Sequence, residues 1–329
     1  MIQNNSRKIA ILGTGSYGIG LAKRLVDNNC NVTMWTKIKD EYEMLVRDRV
    51  NKVYLPDYYI DDRILIKDNL EETIKDAQVI FIAIPVKYVM DTIKELKNYY
   101  QKKQIAVVAC KGIIQNNLSF VSYLIKKELG CKNIAVISGG TFAIDMIKND
   151  YLALTVASKN KKVANFVKST LENKYLSIDI TNDVFGVEMY GAIKNVMAIT
   201  LGIANGCGYC ESTKSLLITK IINDTAKMID DFSGNKMTMF TYAGIGDIWL
   251  TATSLTSRNY AFGSLIGKKS SQQEINDYLK NTTVEGYYTL KSLYELFKKN
   301  NYKMEIINIL YSIIYDDKDI SLLEEYLSN

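Results

Sequence analysis

Three observations in this 329-residue chain predict an α/β fold, a doubly wound sheet followed by a mostly helical half. In the run Ile9–Leu25, a short apolar strand ends at Gly13, glycines recur at Gly15 and Gly18, and a helical pattern starts at once. Up to about residue 183, short apolar runs then alternate with helical stretches, the pattern of an α/β sheet. Beyond that point the texture changes to long helical periodicity. Together these place a Rossmann-type dinucleotide-binding domain at residues 1–183 and a mostly α-helical substrate-binding and catalytic domain at residues 184–329.

The elements follow in order. Lys8–Leu12 reads as the first strand, Ser16–Asn28 as its helix, Val32–Trp35 as the second strand and Asp40–Arg49 as a charged helix. Val79–Ile84, Ala106–Cys110 and Ile134–Ile137 are strands without polar interruption, and Leu152–Ala157 and Leu176–Asp179 are two more. Continuous apolar strands predict a parallel sheet covered on both faces. Helical patterns then run over Val184–Asn205, Ser212–Ser233, Gln272–Asn281, Thr289–Asn300 and Met304–Tyr315.

Composition narrows the function. With 47% hydrophobic and 23% charged residues, the chain reads as an ordinary globular protein with room for two cores. Its net charge of +5 is scattered, so no segment reads as a nucleic-acid tail. No apolar run reads as long enough to cross a bilayer, the longest lying around Val79–Val86, and the N-terminus leads straight into the first strand. A cytoplasmic location is the resulting expectation. Five cysteines, an odd number, argue against a disulfide framework. Cys207 and Cys210 form a C-x-x-C, the half-site of a zinc or redox motif, but without a second pair it reads as two small residues in a turn, and no metal site is expected. Histidine is absent, so acid–base chemistry must use Lys, Asp, Glu, Tyr or Cys.

The glycine run carries the first chemistry. Gly13 permits a tight turn, Gly15 lets backbone approach a phosphate, and Gly18 lets the helix pack on the strand. The loop Gly13–Gly18, with Ser16 and Tyr17 at the helix start, therefore presents free N–H groups and the positive helix end to an anion. A glycine-rich turn that binds nothing is the alternative.

On Val184–Asn205, the residues Val187, Tyr190, Gly191, Lys194, Met197, Ala198 and Leu201 fall at helical spacing on one face. Lys194 is the only charged member. A buried ammonium must be paired or lose its charge more readily, which prepares a lysine for proton transfer; a lysine snorkelling from the edge of the stripe is the plainer reading. Lys111 and the group Gly139, Gly140, Thr141 each stand just beyond an apolar strand, at the edge where α/β sheets bind ligands. In GIGDIWLTATSLTSRN, Asp247 is placed to balance a lysine, while Arg258 and Asn259 suit a phosphate. A helix cap with a surface arginine explains the end of that segment equally well.

With GTGSYG (Gly13–Gly18), NKVYLP (Asn51–Pro56), KG (Lys111, Gly112) and SGGTFA (Ser138–Ala143) in order, the chain resembles NAD(P)-dependent glycerol-3-phosphate dehydrogenases of the bacterial soluble type. AIKNVMAITLGI (Ala192–Ile203), the segment Gly244–Asn259 and VEG (Val284–Gly286) extend the likeness over essentially the whole chain. The resemblance implies reduction of dihydroxyacetone phosphate to sn-glycerol 3-phosphate, a phosphorylated triose chemistry that feeds glycerophospholipid synthesis, in a homodimer.

It also implies roles. Lys194 would be the general acid, assisted by Lys111, with Asp247 balancing their charge. Gly139, Thr141, Asn195, Ser257, Arg258 and Asn259 would line or hold the substrate, together with Lys111 and Asp247. Ala143 and Glu285 would adjoin the cofactor with the glycine loop, Lys37, Lys111 and Arg258. The chain departs from the family at Tyr17, at Gly140 (usually proline) and at Ile144 and Asp145 (usually an acidic pair).

After the second strand the chain reads Trp35, Thr36, Lys37, Ile38, Lys39, without the acid that an NAD enzyme would carry. NADP(H) is therefore the favoured cofactor, met by Lys37 or Lys39, with NAD(H) second. Two other readings remain open here: a lysine-dependent dehydrogenase of a carboxylate substrate, and a non-catalytic NAD(P)-sensing protein.

Overall fold

The computed structural model describes residues 6–115, 117–254 and 257–328. Eight strands form one sheet, numbered here in chain order: β1 (Lys8–Leu12), β2 (Asn31–Trp35), β3 (Leu65–Lys67), β4 (Val79–Ile82), β5 (Ile105–Val108), β6 (Ile134–Ser138), β7 (Leu152–Ala157) and β8 (Leu176–Thr181). Their order across the sheet is β8-β7-β6-β5-β4-β1-β2-β3, so the chain reverses direction at β1, the switch point of a doubly wound fold. β5, β4 and β1 lie next to one another in the middle of the sheet and are almost wholly apolar and buried, Lys8 at the start of β1 excepted, as expected where both faces are covered. β3, which sequence periodicity does not reveal, is a three-residue edge strand beside β2.

One expectation is corrected. The sheet is parallel except between β6 and β7, which pair antiparallel. The only helix between them, Ala143–Ile147, has five residues. At 1.5 Å per residue it spans about 8 Å, too little to return the chain along the sheet for a parallel crossover.

The chain divides into two compact units. One comprises residues up to Lys111 together with Phe120–Val184; the other comprises Gly112–Ser119 and the residues from Phe185 onward. The division falls directly after Lys111, at Gly112, whose φ of +128° is a conformation open to glycine. The short strand Ile113–Ile114 thus joins the helical unit although its neighbours in sequence belong to the sheet.

In the first unit, helix α1 (Ser16–Asp27) follows β1 directly and α2 (Lys39–Asp48) follows β2. Helix α3 (Ala143–Ile147) packs on α1 at Gly20, where an added Cβ would come within 2.9 Å of Met146 Cβ. In the second unit, α4 (Val184–Gly206) is followed by α5 (Glu211–Asp231), α6 (Asp247–Thr253), α7 (Arg258–Gly267) and α8 (Glu285–Lys299).

Helix α4 differs from the expected one-sided stripe, because every residue from Gly186 to Ala204 is buried. A helix buried on every side belongs at the centre of a bundle, even with Glu188, Lys194 and Asn195 among its buried residues. It is also long and apolar enough to cross a bilayer, which a search for unbroken apolar runs overlooks, yet 89% of its most apolar window is buried inside the protein. It is the core helix of its unit.

Candidate active site

The glycine loop lies at the switch point. Gly13 has φ +120°, and a Cβ there would come within 2.5 Å of Ala83 O. Gly18 touches Gly13 O so closely that no side chain fits. Gly15 differs: it caps α1 without any side-chain hydrogen bond, and nothing lies within 4 Å of the place its Cβ would take. The helix start, Ser16 and Tyr17, thus borders an open cradle of backbone, which fits a dinucleotide pyrophosphate. Tyr17 packs its ring partly into the core.

At the carboxyl ends of β5 and β6, Lys111 Nζ donates to Gly139 O at 3.4 Å. Gly139 is wedged against β7, its missing Cβ 2.7 Å from Ala153 O. Thr141 is buried, and its hydroxyl has no hydrogen-bond partner among the described residues, so it is a polar atom available to a ligand. Ala143 opens α3. Beyond β2, Lys37 is exposed and pairs with Glu95 at 3.0 Å, and Lys39 pairs with Glu43 at 3.8 Å.

The second unit holds the ionic centre. Lys194, on α4, is 8% exposed and donates to Asp247 Oδ1, a residue 1% exposed. The ammonium also donates to Thr251 Oγ1 at 3.0 Å. Asp247 opens α6, where the positive helix end favours a carboxylate. The preceding Tyr242–Gly246 is a single wide turn packed so closely on Thr238 and Met239 that Gly244 admits no side chain. Burying both charges is tolerable because they satisfy each other and a hydroxyl. Thr251 stands outside the residues that the sequence singles out, and its place four residues after Asp247, one helical turn on, is the signal that points to it.

A second set of side chains joins three helices. Asn259 Nδ2 donates to Asn195 Oδ1 at 3.0 Å, Asn195 Nδ2 donates to Glu285 Oε2 at 3.4 Å, and Gly286 N–H donates to Asn259 Oδ1 at 2.9 Å. These residues come from α4, α7 and the start of α8, so AIKN, SRN and VEG converge. Glycines make the approach possible. Gly202 and Gly206 of α4 face Gly263 and Gly267 of α7 at a spacing where any Cβ would overlap the opposite backbone. Ser257 caps α7 by accepting from Tyr260 N–H at 3.4 Å. Arg258 is the first residue of that helix and is exposed, with its side chain in no ion pair among the described residues. Leu255 and Thr256 of the same motif lie outside the described residues.

Cys207 and Cys210 are free thiols beyond the end of α4, with Cys210 capping α5; burial pushes the Cys207 thiol up.

Residues 8–164 match the model of the NAD-dependent glycerol-3-phosphate dehydrogenase N-terminus, and residues 183–324 match that of the C-terminus. The chain belongs to that family. A glycerol-3-phosphate dehydrogenase [NAD(P)+] from Staphylococcus haemolyticus is 31% identical over 316 residues, covering 95% of each chain. One from Bacillus velezensis is 32% identical, covering 98% of this chain and 94% of its own. The crystal structure of glycerol-3-phosphate dehydrogenase from Coxiella burnetii superposes with a TM-score of 0.91 at 27% identity, covering 98% of this chain and 99% of that one. Membership makes this chain an NAD(P)-dependent oxidoreductase.

Proposed function

We propose that this chain reduces dihydroxyacetone phosphate to sn-glycerol 3-phosphate, with Lys194 as the proton donor. The observation that carries the reading is the buried Lys194–Asp247 pair, set on the same helix as the asparagine chain. Bound NAD(P)H would supply the two reducing electrons at C2, held by the loop Gly13–Gly18, with Ala143, Lys37, Lys111, Arg258 and Glu285 as further contacts. Lys194 Nζ gives its proton to the oxygen at C2 as negative charge develops there, leaving a neutral amine beside Asp247 and Thr251. In the reverse direction the neutral amine takes the same proton back.

Asp247 keeps the ammonium charged until the carbonyl is in place. Arg258, with Ser257 and Asn259 at the N-terminus of α7, binds the phosphate through a guanidinium fork and a helix end. Fixing the phosphate orients the carbonyl, and orientation supplies much of the acceleration. Lys111, Gly139, Thr141 and Asn195 complete the substrate contacts. On this reading residues 1–183 hold the cofactor, residues 184–329 hold the acid and the phosphate, and the enzyme is a cytoplasmic homodimer serving glycerophospholipid synthesis.

The test is the initial rate of NADH or NADPH oxidation with dihydroxyacetone phosphate, beside a branched 2-keto acid of the same size. Turnover confined to the phosphate ester is the expected result. Turnover confined to the keto acid would replace the substrate assignment, and cofactor binding without turnover on either would leave a sensor.

A further inference from the structure

We propose that Glu41 sets the cofactor preference of this chain, favouring NAD(H) over NADP(H), by holding its carboxylate at the carboxyl end of β2. The inference rests on the dinucleotide reading of the glycine loop and opposes the expectation drawn from Lys37 and Lys39. In a doubly wound sheet the acid that receives the ribose hydroxyls of NAD stands just past the second strand. Here the residue in that place is Thr36, which cannot supply the charge.

The structure brings an acid to it from α2. The Thr36 hydroxyl donates to Glu41 Oε2 at 2.5 Å. The other carboxylate oxygen accepts from Asn51 Nδ2 at 3.0 Å. Asn51 is fully buried, and the same amide donates to Thr14 O, inside the glycine loop, at 3.0 Å. Its Oδ1 accepts from the N–H groups of Val53 and Tyr54 at 3.1 and 3.2 Å, so the amide has no freedom to turn. One side chain thus ties the carboxylate to the loop that holds the pyrophosphate.

Glu41 enters no ion pair among the described residues, so no cationic side chain neutralises it; it is held by two neutral donors in the first turn of α2. The two lysines of the segment are engaged by Glu95 and Glu43. An ionised carboxylate has about four acceptor positions. With one used on each oxygen, Glu41 keeps capacity for ribose hydroxyls, whereas a 2′-phosphate would bring like charge against it.

Calorimetric titration of the full-length protein with NADH and NADPH, without substrate, tests the assignment. The unaltered protein is expected to bind NADH at least about tenfold more tightly. Glu41→Gln keeps the size and one acceptor but removes the charge, and should move the affinity ratio toward NADPH by about tenfold or more. Thr36→Val, which frees the carboxylate without removing it, should move the ratio the same way by less. Tighter binding of NADPH by the unaltered protein would overturn the proposal. So would a Glu41→Gln variant that weakens both cofactors by the same factor, because Glu41 would then only brace the glycine loop. If neither cofactor bound the unaltered protein, the dinucleotide reading would fall as well.

Discussion

The sheet unit and the helical unit hold their functional groups by opposite means. At the glycine loop the working parts are backbone: the N-terminus of α1 is uncapped by any side chain, and Gly15 leaves open space in front of it. In the helical unit the working parts are side chains buried together, Lys194 with Asp247 and Thr251, and Asn195 with Asn259 and Glu285. Backbone in a turn needs only small residues nearby to stay exposed. A buried ammonium needs a counter-charge and further acceptors, here brought from another helix, all arriving at once. The first arrangement tolerates change at Gly15, though not at Gly13 or Gly18, and the second tolerates it at none of its members.

The largest effect that would sharpen this contrast is on the ion pair. Asp247→Asn leaves the Lys194 ammonium buried beside a neutral amide and should cost about 3–5 kcal/mol of stability, read by denaturant unfolding. Replacing both partners, Lys194→Met with Asp247→Leu, should restore much of that stability and none of the turnover. Next is Gly202→Ala, whose methyl would overlap the backbone of α7. Forcing α4 and α7 apart should cost about 1–3 kcal/mol, and turnover should fall as Asn195 and Asn259 separate. An unchanged melting temperature there would show that α4 and α7 do not pack backbone to backbone at Gly202.

Arg258→Ala should raise the Michaelis constant for the phosphate ester roughly tenfold or more with stability unaltered, since it removes charged hydrogen bonds from an exposed side chain. The smallest effect on the fold belongs to Gly15→Ala, which should leave the melting temperature within about 2 °C because a single surface change is worth about 0.5 kcal/mol. Its cofactor affinity should nevertheless fall, because the new methyl occupies the open cradle. Equal loss of stability in Gly15→Ala and Gly202→Ala would break the distinction between the two units.

The same contrast decides what the sequence shows. The glycine loop is legible because turn, strand end and helix start lie within a dozen residues. Lys194 is legible as the one charge on its stripe, although the stripe argument fails: α4 is buried on every side, has no single inner face, and also buries Glu188. The partners of these residues are less legible because they arrive from afar. Glu41 lies in no motif, and Asn51 and Thr251, although they lie within NKVYLP and GIGDIWLTATSLTSRN, acquire their meaning only through contacts with Thr14 and Lys194, as Glu41 does through Thr36. The paired glycines of α4 and α7 are spaced four apart in each helix, a signal visible in sequence but interpretable only once the helices are known to meet. The antiparallel β7 turns on the length of one connection, which apolar patterning does not report.

The role of Lys194 is tested most directly by Lys194→Met, measured for turnover of dihydroxyacetone phosphate and, on the same sample, for cofactor binding. A loss of turnover of roughly 10³–10⁴-fold with cofactor affinity retained is the predicted result, a lost proton donor in an intact binding site. Turnover within a few-fold of the unaltered enzyme would contradict it, and the buried pair would then be a structural feature of the helical core.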